Sequence, residues 1–363
     1  MSKFFVNIFF FLYFVNFSFA QSDQLIYEQA YQDLNCMLNE ECPGSFKEAV
    51  FIVENAYYSN NLDRVQFERR IAFLAELARK VSASGELIYN FPDREEVKKY
   101  AAIFRVMTDT VKIEVDSVRM ISLIPYSYDF NDVWGHKDWS NMFVSKLLES
   151  KKGNCHSLPY LYKIIADEIG TKAHIATAPN HFFIKHQNKA SGWYNTELTS
   201  GIFPIDAWLM ASGYIHLNAV TNKLYLEALN EKQMLALSLI DLAQGYERKL
   251  GVLANLDFIL TCCETALRFY PHYINAILLK AETRKKQFNS LMTKNHAKYP
   301  AELLHIKEAQ ELFAEMTLLY SQIHQLGYRK MPEDMYMAWL LSLKEERSKY
   351  ENRKITNFKS SSH

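Results

Sequence analysis

Three residues within one stretch of this chain have the types and the order that thiol chemistry requires. Cys155 stands in GNCHSLPYLYKIIADEIG, His181 in APNHFFIKH and Glu197 in GWYNTELTSG. A thiol attacks as its thiolate, so it needs a base within reach, and a carboxylate that fixes the base's ring and tautomer improves it. A cysteine at a helix start is, on its own, more often a small buried residue. The Gly153-Asn154 turn ahead of Cys155 and the two partners after it shift the reading to chemistry.

The elements that must position these groups can be read from spacing. Leu158, Leu161, Ile165 and Ile169 share one helical face, Pro159 falls in the first turn, and Gly170 suits a left-handed cap. Cys155 therefore sits at a helix N-terminus, where unpaired N–H groups and the positive dipole end favour a thiolate. Ala173 to Ala178 reads as a strand ended by Pro179-Asn180. HFFIKH and WYNTE then read as a hairpin around QNKASG. Pairing Lys185 with Trp193 sets Glu197 directly opposite His181, with Cβ atoms about 5 Å apart. A slip of one residue would put them on opposite faces. Three other histidines compete for the role of base. His156 adjoins Cys155 on the backbone, His186 alternates to the other face, and His174 is the stronger rival, with a structural role expected.

These segments resemble the transglutaminase-like superfamily, and specifically its SirB1-like branch, over roughly Asn141 to Gly213. In that superfamily a Cys at a helix start is followed by a His and then an acid on successive strands. Glu197, four residues after Trp193 and followed by Leu-Thr, stands where the family pattern reads Asp-Pro-Thr, so charge is kept and reach is longer. The resemblance implies an α+β, papain/transglutaminase-like core with a helix packed on an antiparallel sheet. It implies catalytic roles for Cys155 and His181 more directly than for Glu197.

The flanks read as helix. From residue 21 to 111, Ser45-x-x-Glu48, Asp63-x-x-Gln66 and Asp93-x-x-Glu96 each open an apolar-periodic run in the manner of a capping box. Residues 112–213 hold the core, with a strand expected within Ile113 to Ile124. Asp129, Asp132, His136 and Asp138 match no standard ligand spacing, so a loop of solvated acids is expected there, with no metal and no cofactor. Residues 214–350 read as an all-α region. Ala266 and Pro271, then Ala276 and Ala281, have the spacing of a tetratricopeptide-like (TPR-like) junction, although Cys263 replaces an aromatic and no third copy is clear. SirB1-like proteins commonly carry such a region. A helical buttress and a groove for a protein partner are equally open readings. Two more helices, about Ala301 to Leu326 and Pro332 to Tyr350, precede a polar tail over 351–363 expected to fray.

Residues 1–20 read as a secretory signal peptide: Lys3, a short apolar run and Ser18-Phe19-Ala20. The run is shorter than the ~20 apolar residues a spanning helix needs, and Asn7 and Asn16 interrupt it. An exported protein, periplasmic or secreted, with no membrane attachment after cleavage is expected. With 41 basic and 41 acidic side chains the formal net charge is zero, which gives no field to gather nucleic acid. Five cysteines leave at least one unpaired; Cys36 and Cys42 can bridge, Cys262 and Cys263 read as buried, and Cys155 is left over. Two function classes remain. One is a thiol enzyme acting on a peptide or isopeptide bond of a protein or peptide substrate, hydrolysis favoured over transamidation. Its oxyanion would meet the Cys155 N–H and a second donor, Asn154 or Trp139. The other is a non-catalytic scaffold that binds a peptide through its TPR-like helices.

Overall fold

The structure, a computed structural model, describes residues 22–114, 120–251, 254–346 and 359–360. The expected leader over 1–20 lies outside the described residues. Two compact units each draw on two separate stretches of chain: Met1–Leu62 with Glu231–Gln325, and Asp63–Asn230 with Leu326–His363. The expected segments 21–111 and 214–350 therefore each contribute to both units.

The first unit is helical in its described residues. A helix over 22–38 and Phe46–Tyr57 join Glu231–Leu250, Leu256–Phe269, Ile274–Lys294 and Lys307–Gln325. Ser45 caps as its spacing implies, its Oγ accepting from the Glu48 N–H at 3.1 Å. Tyr27 meets Tyr246 edge-on at 5.1 Å, an arrangement that suits the ring quadrupoles. Ala266, Ala276 and Ala281 are fully buried, so their small side chains let neighbouring helices approach closely. Cys36 and Cys42 form a disulfide, and Cys262 and Cys263 are buried thiols.

The second unit is α+β. Its central helix, Ser157–Glu168, is buried from Ser157 through Ala166. It packs against the helices Arg64–Ser84 and Arg94–Thr108 and against a three-stranded antiparallel sheet. The strands are His174–Ala178, His181–Asn188 and Gly192–Thr196, the second in the middle. Val111–Glu114 pairs with Met120–Leu123 as an antiparallel hairpin. Ser127–Tyr128 runs parallel to Lys152–Gly153, which fixes the approach to Cys155. Among the described residues, no helix is long and apolar enough to cross a membrane.

Three local expectations need correction. Asp63 caps its helix through the Gln66 N–H, but Asp93 makes no cap bond. Its carboxylate is taken by the Tyr89 hydroxyl at 2.9 Å and the Lys189 N–H at 2.8 Å, which tie the helix start to the hairpin turn instead. The hairpin register pairs Lys185 with Asn195 and Gln187 with Trp193, two residues from the expected pairing, because the loop closes at Asn188–Gly192. Finally, the tail is not wholly frayed: Lys359 and Ser360 pair with Glu86 and Gly85, the backbone of one supplying ladder partners to the other.

Candidate active site

Cys155 is placed by its three neighbours. A Cβ on Gly153 would lie 2.5 Å from Ser157 Oγ and 2.8 Å from Leu147 Cδ1, so only glycine lets the chain pass there. The Asn154 side chain is fully buried, and its Oδ1 accepts from the N–H groups of His156 at 3.0 Å and Ser157 at 3.2 Å. Those are donors that a helix start leaves without intrahelical partners. Asn154 is thus committed to capping, with Nδ2 on the Val133 carbonyl at 3.3 Å, and the structure removes it as an oxyanion donor. Helical bonding begins with Leu158 N–H to the Asn154 carbonyl at 3.2 Å, which puts Cys155 in the opening turn, partly accessible.

The three sequence-predicted residues come together. The two-residue shift of register keeps His181 and Glu197 on one face of the sheet, as diagonal rather than direct neighbours. Glu197 follows the third strand and bridges to Ile202, and its Oε2 lies 2.5 Å from His181 Nε2. Its other oxygen accepts from the Thr199 N–H at 2.7 Å. Both side chains are buried. Sequence reasoning missed a fourth member. The Tyr336 hydroxyl, on the helix Glu333–Glu346, donates to Cys155 Sγ at 3.1 Å and lies 3.0 Å from His181 Nδ1.

The hydrogen bonds suit an ion pair. With the Tyr336 hydroxyl donating to sulfur, its oxygen is left to accept from His181 Nδ1, while Nε2 faces the Glu197 carboxylate. That arrangement is the one an imidazolium beside a thiolate would adopt. The titration tendencies agree. Burial opposes the charged ring, but the Glu197 charge and hydrogen bonds to Cys155 and Glu197 raise His181 from 6.5 to about 10. Burial alone would push the Cys155 thiol up, yet the hydrogen bond and charge of His181 bring it below its ordinary value. Burial likewise opposes ionisation of Glu197, and His181 outweighs it to hold the carboxyl low. In the neutral thiol form the proton has an acceptor in the Asn180 carbonyl, 3.5 Å from Sγ.

Aromatic side chains wall the site. Trp134 lies 4.9 Å from the Tyr336 ring, and Trp339 meets His181 edge-on at 5.0 Å. The Trp339 indole donates to Ser212 Oγ at 3.1 Å, and Asn180 Nδ2 reaches the Met331 carbonyl at 3.4 Å, which pins the closing helix. The Tyr128 hydroxyl is buried close to Tyr336 and Cys155 but makes no hydrogen bond of normal geometry. Burial, with the charge of Cys155, keeps this phenol protonated far above its ordinary range. The only sequence signal for the closing helix is the run Tyr336, Trp339, Leu340 and Leu343, one buried face that names no partner.

The rival histidines are occupied elsewhere. His174 Nδ1 meets the Leu229 carbonyl at 2.9 Å, and His156 Nδ1 meets that of Met142 at 2.9 Å. His186 is buried between the Lys172 carbonyl and the Tyr162 hydroxyl, where burial drives it down to about 3 and keeps it neutral. The acids of the aromatic loop staple that loop. Asp132 accepts from the Asp138 N–H at 2.9 Å and Asn141 Nδ2 at 3.0 Å, and Asp138 accepts from the Ser140 N–H at 3.0 Å. Among the described residues no cluster of His, Cys, Asp and Glu is arranged to hold a metal.

Residues 72–236 match the family model of the transglutaminase-like superfamily. That span holds the central helix, the sheet, and Cys155, His181 and Glu197. No curated protein and no solved structure matches the chain.

Proposed function

We propose that this protein is a thiol enzyme of the transglutaminase-like kind that acts on amide bonds, peptide or isopeptide, through Cys155, His181 and Glu197. The observation that carries the reading is the hydrogen-bonded chain from Glu197 through His181 and Tyr336 to Cys155. The Cys155 thiolate attacks the carbonyl carbon and forms the C–S bond. The C–N bond breaks as the leaving amine takes a proton from His181, which leaves a thioester. Water then gives a proton to His181 and attacks the thioester carbon, and the C–S bond breaks to release the acid and restore the thiolate beside the protonated ring. Glu197 holds the ring and its charge throughout. The oxyanion is met by the Cys155 N–H and by the Tyr128 hydroxyl, which has no other well-formed bond to lose. Water is the acceptor in this reading; capture of a labelled amine into product would reassign it to transamidation.

The leader read over residues 1–20 and the Cys36–Cys42 bond support action outside the cytoplasm. The TPR-like spacing around Ala266 and Pro271 supports a protein partner for the helical unit. The SirB1-like branch remains our assignment for the core, on the segments around Cys155, His181 and Glu197.

The test needs no known substrate. Iodoacetamide labelling of the folded protein followed against pH reports Cys155, since Cys262 and Cys263 are buried with thiols held high by that burial. We expect fast labelling well below the ~8.5 of a free thiol, slowed by His181→Ala. Slow labelling indifferent to His181 would sink the reading.

A further inference from the structure

On the second unit, at the end of the short helix Val144–Ser150, a cavity of about 390 Å³ is lined by Arg69, Arg70, Lys151, Tyr126, Phe73 and leucine side chains. Three cations converge on it and no carboxylate lines it, in a chain whose formal net charge is zero.

Lys151 is the unusual member. Other sunken lysines have carboxylates: Lys163 meets Asp167 at 2.7 Å, Lys185 meets Asp206 at 2.9 Å, and Lys280 meets Glu264 and Glu315 at 3.1 Å each. Lys151 instead donates to the Tyr126 hydroxyl at 2.8 Å and sits 3.9 Å above that ring. A phenol and a ring face soften the cost of a half-buried ammonium without neutralising it. Burial and the neighbouring Arg70 pull it down from 10.5 to about 8, with no carboxylate to oppose them. The backbone gives it little room to leave, for Lys151 is held left-handed at φ 60° with its N–H on the Leu147 carbonyl. Arg70 is fixed too, its Nη1 donating to the Leu148 carbonyl at 2.8 Å. Beside these charges Phe73 is half exposed, a large apolar ring left to solvent.

We propose that this cavity binds an oxyanion, a carboxylate or a phosphate ester, carried on an apolar or aromatic stem. Lys151 and Arg70 take the anionic oxygens, Arg69 closes the rim, and the stem lies on Phe73. This assignment is independent of the chemistry at Cys155. The groups facing Lys151 are Arg70, Arg69 and the Tyr126 phenol, which burial keeps protonated through the neutral range. Binding should therefore be full at pH 7 and weaken as Lys151 loses its proton above about 8.

Calorimetry on the full chain at fixed ionic strength, with phenyl phosphate, benzoate and inorganic phosphate as probes and chloride as control, tests this. Phenyl phosphate or benzoate should bind more tightly than inorganic phosphate; which of the two is tighter identifies the anionic group. Lys151→Met should weaken binding by roughly tenfold or more and flatten its dependence on pH between 7 and 9. Arg69→Gln, at an exposed position, should weaken it too, and it keeps the test open if the Lys151 variant folds poorly. No heat from either aromatic probe at tens of millimolar, or binding that ignores both substitutions, would overturn the assignment.

Discussion

The Cys155 sulfur is met by groups from distant parts of the chain, His181 from the sheet and Tyr336 from the closing helix, which favour its thiolate. Replacing Tyr336 by Phe keeps the ring that fills the site and removes only the hydroxyl. A hydrogen bond to a charged group contributes about 1.5–3 kcal/mol, and a shift of one pH unit corresponds to roughly 1.4 kcal/mol. Tyr336→Phe should therefore move the midpoint of the iodoacetamide profile upward by about one to two units. Labelling at pH 6 should slow about tenfold or more, while the limiting rate at high pH survives. A profile unchanged by the substitution would mean that His181 alone holds the thiolate. Cys155, His181 and Glu197 were legible in the sequence because each sits in its own short motif, in an order that chemistry recognises. Tyr336 was not, because a tyrosine in an amphipathic helix reads as core until the fold puts its hydroxyl on sulfur, 181 residues away.

Elements decide whether those residues meet. The hairpin register differs by two from the one expected, yet the pair of His181 and Glu197 survives. The reason is geometric: strand side chains alternate with period two, so a slip of two keeps the face and a slip of one would destroy the site. The sequence could not supply the register itself, since Asn188 through Gly192 offers several turn lengths of similar quality. Helix starts show the same division. Ser45 and Asp63 cap as read, whereas Asp93 is claimed by the nearby Tyr89 hydroxyl and by the Lys189 N–H of the hairpin turn, a partner 96 residues away that local spacing does not show. The turn at Gly153 gives a test at this scale. Gly153→Ala puts a methyl against Ser157 and Leu147, so overpacking should cost about 1–3 kcal/mol, read as a lower urea midpoint. Cys155 labelling should slow with it, because the same turn aims the sulfur. An unchanged midpoint would show that Leu147 can yield without cost.

For the whole molecule, the ion pair ties stability to pH in a way its members do not show singly. His181 is raised from 6.5 to about 10, so its contribution is full below 6.5 and is lost as pH rises toward 10. Cys155 is lowered from 9.0, so its contribution is present above 9 and is lost as pH falls. Between 6.5 and 9 the two slopes oppose each other, because folding favours the protonated ring and the deprotonated sulfur. Glu197, held below 4.5, adds a loss on the acid side only. Urea unfolding of the wild type against the triple variant Cys155→Ser, His181→Gln, Glu197→Gln should show a difference that shrinks as pH rises from 9 toward 10 and shrinks again on the acid side. A difference that ignores pH at both ends would mean that the pair is not charged. The interleaved order of the units has a further consequence, for synthesis on the ribosome. Cys155 emerges long before Tyr336, and at about 5–20 residues per second the 181 residues between them take roughly 10 to 35 seconds to make. For that interval the nascent thiol lacks its hydroxyl donor, and the full set of groups around it waits on the helix Glu333–Glu346.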